Sequence, residues 1–493
     1  MLHRQLCSVR NIILAAFLLS AVSGATATWD HAHGDAANRG FVNVDTAPAA
    51  NDLVRVADLG SFAIGAGPVI AADGTVYLGN RAGLLKAFAP DGTLKWMRDT
   101  PGHEIVASPV IGADGSIYVI GARTVRDHRG GQVVTRNELT LYRFTSTAAM
   151  LWAAPFPEGT LTPAQFGTGV TSAAPNIWRS GATEVILVPV LHRSYNGHVI
   201  SIVAFSTGGG VLFNQPVTTV DYGDITGGAS VGETLCGIFF FLPPCFLEET
   251  VPIPEPNELP PEVNPPMPSM ALFTSIGNEP FVVVADNYQN IVGYTFSPEA
   301  GFQENFRKHI TNDERGISMS SPVMLGDGHS VVRGNSDSQG WVLFAGPHPV
   351  DWTEVVVPHT GTTPTITGDG KIVMVDRAGG VTLVSTYPNV GVVDPHIPLA
   401  SESIAPAAAS RTHIFVSGVD KLYTIDAASL QVVEEFLWEG GGLSSPAISA
   451  NGRVYALAGD TLYGFPAPPS RCPPGSLCPG TVRPPIAPAS ARP

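Results

Sequence analysis

The chain has 493 residues, with 53 Gly, 43 Pro and only 14% charged side chains, and a formal charge of −15. Gly supplies positive φ and Pro presets turn geometry, so this mix fits one all-β domain of many short strands and excludes a helical bundle. So acidic a surface repels phosphate backbones and anionic lipid, which excludes nucleic acid as a partner and leaves membrane contact at most peripheral.

In chain order, the first element is an export signal. His3, Arg4 and Arg10 form a basic start, residues 12–19 an apolar run, and Ala25-Thr26-Ala27 a small-x-small cleavage site. The predicted signal peptide covers 1–27, and its apolar run is too short to span a bilayer. Removal takes away Arg4, Arg10 and no acid, so the mature chain carries about −17 and is expected in the periplasm or outside the cell. Next come His31, His33 and Asp35. In extended chain they would alternate to one side and could face a metal, but hydrogen-bonded structure accounts for them better, and no metal ligand is assigned.

From residue 65 a repeat takes over. A small residue, Pro and usually an aliphatic two positions later recur around Pro68, Pro109, Pro175, Pro322, Pro364, Pro406 and Pro446, several of them about 40 residues apart. Asp73-Gly74, Asp114-Gly115, Asp327-Gly328, Asp369-Gly370 and Asn451-Gly452 then supply hairpin turns. A β-rich second strand, an alternating third and a fourth opening near an aromatic (Trp96, Trp152, Phe213, Phe306, Phe436) complete a four-stranded unit. Trp96 and Trp152 read as packing residues between units. Eight units are predicted, near 65–100, 106–157, 171–217, 270–310, 319–358, 361–399, 403–440 and 443–465. The last has three strands, and the alternation of 52–59 matches the missing one; supplied from the N-terminus, it would close the ring and remove an edge. The expected fold is an all-β, eight-bladed β-propeller over 28–466.

Interruptions of the repeat carry their own signals. Arg123, Arg126, His128, Arg129 and Arg136 put a basic patch within 123–138. An insertion at 218–269 holds Cys236 and Cys245, with Phe239, Phe240 and Phe241 between them, then a Pro-rich acidic run at 252–268. The tail, 467–493, is Pro-rich and holds Cys472 and Cys478. In an oxidising compartment each cysteine pair is expected to close a small disulfide loop; no C-x-x-C or nearby His offers a metal set instead. Phe239, Phe240 and Phe241 form a candidate docking loop, unless they pack onto neighbouring strands.

Chemical motifs are few. Gly228-Ala229-Ser230-Val231-Gly232 has the nucleophile-elbow pattern without the strand-turn-helix context that the motif needs. Asn335-Ser336-Asp337-Ser338-Gln339-Gly340 opens like a calcium loop, but Gly346 stands where the closing Glu belongs. Turns between second and third strands are polar (Asn80 and Arg81, Asp286 and Asn287, Asp376 and Arg377), as a ligand face or ordinary turn chemistry would make them. No catalytic residue is assigned.

The stretches Ser108-Pro109-Val110-Ile111-Gly112-Ala113-Asp114-Gly115-Ser116-Ile117-Tyr118-Val119 and Asp91-Gly92-Thr93-Leu94-Lys95-Trp96 resemble the PQQ-type propeller repeat, and Trp29 through Gly40 resembles the segment that often precedes such rings. The resemblance covers roughly residues 29–466 and implies a propeller. It implies either of two activities: quinoprotein dehydrogenases that bind PQQ and calcium in the channel, or cofactor-free scaffolds. The adjacent Cys-Cys pair of the dehydrogenases is missing and their calcium ligands have no counterpart here; the lipidated Cys of the scaffold lipoprotein is missing too. The expectation is a non-catalytic scaffold for a protein partner or small ligand, without a cofactor. A quinoprotein oxidoreductase with PQQ and calcium is the alternative, and a carbohydrate-binding propeller the third reading.

Overall fold

The computed structural model describes residues 29–468, apart from 222–270 and shorter stretches of which 159–170 and 310–317 are the longest. The described residues contain no helix and form eight sheets in chain order: sheet 1 (69–99), sheet 2 (104–155), sheet 3 (176–221), sheet 4 (271–309), sheet 5 (318–357), sheet 6 (365–398), sheet 7 (408–437) and sheet 8 (447–465). Each is an antiparallel meander of the predicted unit, and the fold is a β-propeller.

Sheet 1 shows how the sequence makes the unit. Its strands are Val69–Ile70, Val76–Gly79, Leu84–Phe88 and Leu94–Asp99. Gly74, at φ 82°, turns the first strand into the second, which a Cβ would disfavour. Asp73 fixes that turn by accepting from the Thr75 N–H and hydroxyl at 2.9 and 2.8 Å. The first two strands are buried and the fourth is almost wholly exposed. The first strands therefore line the middle of the molecule and the fourth strands its rim.

Neighbouring sheets are joined by apolar layers. Val69, Leu85 and Ile105 of sheets 1 and 2 pack with Ile117 and Phe144. Comparable layers join sheets 2 and 3, 3 and 4, 4 and 5, 5 and 6, and 6 and 7. One further layer holds Phe415 of sheet 7, Ile448 and Phe465 of sheet 8, and Ile70 and Phe88 of sheet 1 together. Such burial, at ~25 cal/mol per Å², dominates the stability of the fold.

The fourth strands of sheets 1, 2, 3 and 7 open with a bulge, which twists an exposed edge away from pairing. In sheet 1 Phe88 pairs with Leu94 but Ala87 with Trp96, leaving Lys95 over; sheets 2 and 3 repeat this at Leu151 and Leu212. The aromatic after the bulge reaches the next sheet. Trp96 Nε1 donates to the Ser146 carbonyl of sheet 2 and Trp152 Nε1 to the Thr207 carbonyl of sheet 3, both at 2.9 Å. Phe213 lies against Gly301 of sheet 4, where a Cβ would meet its ring at 2.8 Å. Trp96 and Trp152 are thus packing residues between sheets, though only half-buried. Phe306 stacks on Phe281 of its own sheet and belongs to the apolar layer with Met324 and Val332 of sheet 5.

Val54–Val56 pairs antiparallel with Thr461–Phe465 as the fourth strand of sheet 8. It meets sheet 1 as the other fourth strands meet their neighbours, with Val54 Cγ1 2.5 Å from where a Cβ on Gly92 would sit.

Sheets 2 and 3 outgrow the repeat. Ile117–Arg129 and Gln132–Phe144 make a hairpin of 13-residue strands, against four and five residues in sheet 1. Thr183–Ser194 and Gly197–Ser206 make a second long hairpin, and Val211–Asp221 follows it outward. The first four residues of the stretch 218–269 continue this strand.

Candidate functional site

Residues 29–46 form a strap across the first strands. The N–H of Ile70 donates to the Trp29 carbonyl at 2.7 Å, that of Ile111 to Asp30 at 3.0 Å, Met324 to Ala37 and Ile366 to Arg39 at 2.9 Å, and Ala409 to Gly40 at 2.7 Å. Four of these five donors stand two residues after the repeat's Pro. A first strand has an unpaired inner edge, and buried N–H groups need acceptors; the strap supplies one to each of sheets 1, 2, 5, 6 and 7. In sheet 3 the link is a side chain: the Ile177 N–H donates to Asn176 Oδ1, and Asn176 Nδ2 to the Ala36 carbonyl at 3.0 Å. Phe41–Val42 then lies parallel to Ala408–Ser410. The Asp45 carbonyl fills the space that a Cβ on Gly452 of sheet 8 would need.

In sheets 1, 2, 5 and 6 the strap takes the last N–H of the short first strand; in sheet 1 this lies next to the Asp-Gly turn, where Ala71 N–H already donates to Thr75 at 2.9 Å. It therefore crosses the end of the molecule where first strands turn into second strands. The two long hairpins join second to third strands and project from the opposite end.

The strap carries buried histidines. His31 Nδ1 is 2.6 Å from Asp30 Oδ1. Burial alone would raise the Asp30 carboxyl, but His31 and Arg179, 3.5 Å away, hold it below the usual range. His33 Nε2 donates to the Pro364 carbonyl at 3.0 Å and lies 3.2 Å from Thr365 Oγ1. Burial pushes His33 down to about 4, against the pull of Pro364 and Asp35, so the ring is neutral at pH 7. Its ring meets Trp29 edge-on, centroids 6.4 Å apart. Trp29 and Asp30 are bonded to sheets 1 and 2 while His33 reaches sheet 6, so these few residues bridge the middle.

The alternation of His31, His33 and Asp35 is broken by a turn, closed by Gly34 N–H to the His31 carbonyl at 3.2 Å. Asp35 serves the backbone: it accepts from the N–H groups of Ala37 and Arg39, at 3.1 and 3.2 Å, and from Arg39 Nε at 2.6 Å. Among the described residues no three His, Cys, Asp or Glu side chains gather as a metal set.

Turn chemistry claims the polar second-to-third-strand turns. Asn80 Oδ1 accepts from Leu84 N–H at 2.9 Å and Asp376 Oδ1 from Gly380 N–H at 2.6 Å, while Arg81 pairs with Glu104 at 3.1 Å. In the basic stretch, Arg123 is tied to Glu138 at 2.5 Å and Arg126 is exposed. Cys236, Cys245, Cys472, Cys478, Phe239, Phe240, Phe241, Asp286, Asn287, Arg377 and the elbow-like stretch lie outside the described residues, as do positions 336–339 of the calcium-like loop. Among the described residues no helix is long and apolar enough to cross a membrane. Sequence reasoning missed the strap's role, although the aliphatic two places after each Pro marks its bonding partners.

Comparisons with known proteins agree on the fold and stop there. No family model matches the chain. One curated protein, the uncharacterized protein YxaL of Bacillus subtilis (strain 168), is 58% identical over 38 residues, 8% of this chain and 9% of that protein. Among solved structures, BamB from Moraxella catarrhalis superposes with a TM-score of 0.50 at 11% identity, covering 84% of this chain and 97% of that one. The dihydro-heme d1 dehydrogenase NirN, in complex with DHE, gives 0.47 at 12% identity over 77% and 67%.

Proposed function

We propose that this chain is an exported binding scaffold of the PQQ-like repeat type, an eight-bladed ring whose partner docks at the end away from the strap. Support for the ring comes from the apolar layer shared by sheets 7, 8 and 1 and from Val54–Val56, which meets Gly92 as Trp152 meets Gly209. The repeat itself favours the repeat type.

The observation that carries the docking reading is the asymmetry between the two ends. One is sealed by the chain's own strap, while the other bears both long hairpins and the point where the 222–270 segment departs. Departures from a repeat gather where a repeat protein binds.

The test replaces 123–138 by Asn-Gly, which retains the Ala122 and Leu139 pair that precedes the extension, and captures partners by crosslinking in a native envelope fraction. Loss of the captured species with an unchanged melting curve is expected. Unchanged capture overturns the docking end, and stoichiometric uptake of added PQQ with calcium favours a quinoprotein instead.

A further inference from the structure

His192 is a buried titratable group with nothing to bond. It is 3% exposed, and neither of its nitrogens has a hydrogen-bond partner. Alternation along Thr183–Ser194 sets its place. Ile186, Val188 and Val190 lie in the apolar layer against sheet 2, and His192 is the next residue on that face. Ile120, Leu139, Leu141 and Phe156 supply the other side of the layer. The imidazole therefore ends the seam between sheets 2 and 3 at the end from which both long hairpins project. On sheet 2, alternation from Ile120 and Ala122 leads to Thr124 and then to Arg126, itself a cation. Thr124 donates to Asn137 Oδ1 at 3.1 Å, while Glu138 pairs with Arg123 on the opposite face. On sheet 3, Val199 stands opposite His192, Arg193 opposite His198, and Asp221 two strands away opposite Gly197. Glu184 shares the face of His192, but at the strap end, where Arg179 holds it at 2.7 Å. Burial alone pushes the imidazole down to about 4, with no charged group contributing, so it is neutral at pH 7.

We propose that His192 is an acid switch: neutral, it closes the seam between the hairpins of sheets 2 and 3, and on taking a proton from solvent it parts them while the other sheets stay packed. An imidazolium without a partner in an apolar layer is far costlier than one in water. Protonation therefore favours the state in which the seam is open and water reaches both nitrogens. The opening is local, because each seam has its own apolar layer and can yield without its neighbours. Release of a docked partner in acid rests on the docking reading above; the opening itself does not.

Val190→Cys places a thiol inside this seam, and Val416→Cys places one in the layer between sheets 6 and 7, both at fully buried sites. Labelling by dithiodipyridine is read at each residue by mass spectrometry and divided by the rate of the urea-unfolded chain at the same pH. From pH 7 to pH 5 the corrected rate at position 190 should rise about 20-fold, as a group at about 4 when closed and ~6.5 when open requires. The rate at position 416 should not change, and His192→Leu should abolish the rise at 190. No rise at 190, an equal rise at 416, or a rise that survives His192→Leu overturns the proposal. Nitrogen NMR of the unaltered chain decides the matter even if a cysteine variant fails to fold. The His192 imidazole should stay neutral from pH 7 to pH 5, and titration at its ordinary ~6.5 refutes the switch. None of these outcomes involves a partner, so the docking end stands or falls by its own test.

Discussion

The two ends of this propeller are built from the same repeat and finished in opposite ways. At the strap end, one segment satisfies the inner N–H groups of five sheets and buries Trp29, His31 and His33. At the hairpin end, the strands of sheets 2 and 3 run past the repeat, and Arg123 and Arg126 lie exposed. The contrast teaches where stability and variation reside. Residues that every sheet must contact become closure, and residues that only one sheet carries are available for recognition.

Removing the strap breaks the contrast most severely. Deletion of 29–46 leaves the N–H groups of Ile70, Ile111, Met324, Ile366 and Ala409 without acceptors. At about 1–3 kcal/mol for each buried donor, the expected loss exceeds ~5 kcal/mol, read by denaturant unfolding. A loss below ~1 kcal/mol would show that the strap merely lies on the ring.

The hairpin end has a titratable weak point, His192, buried with neither ring nitrogen bonded. Burial lowers it to about 4, so the unfolded chain takes up the proton more readily than the folded one. Its stability contribution is intact above pH ~6.5 and is lost as the pH falls toward ~4, at a cost of about 3 kcal/mol. Unfolding curves from pH 7 to pH 4 should show this slope, and His192→Leu should flatten it.

Trp152→Ala sharpens the comparison at the rim, away from both ends. It removes a half-buried ring and the bond to Thr207, for an expected loss of about 2–3 kcal/mol by thermal melts. Lost partner capture at unchanged stability would instead make Trp152 a recognition residue.

Most of the fold was legible because its causes are local. Asp73-Gly74 and its counterparts force hairpins, the aliphatics after each Pro bury, and Val54–Val56 had the alternation of a strand without a partner. The strap was not legible, because its acceptors are backbone carbonyls, which no side-chain pattern reports. Hydrogen-bonded structure at His31, His33 and Asp35 was the expectation, but the turn at Gly34 that breaks their alternation was not legible, because His33 is held by Pro364, far away in sequence. The polar turns were legible as turn chemistry for the opposite reason. Asn80 and Asp376 look like ligand groups in one dimension and are used up by N–H groups four residues on.

Amide hydrogen exchange tests the strap most directly, because it reports the very donors that the strap satisfies. The N–H groups of Ile70, Ile111, Met324 and Ile366 should be protected like the central strands of their sheets, and should lose that protection when residues 29–46 are deleted. Rapid exchange at these four positions in the intact chain would contradict the sealed end, and with it the difference between the two ends.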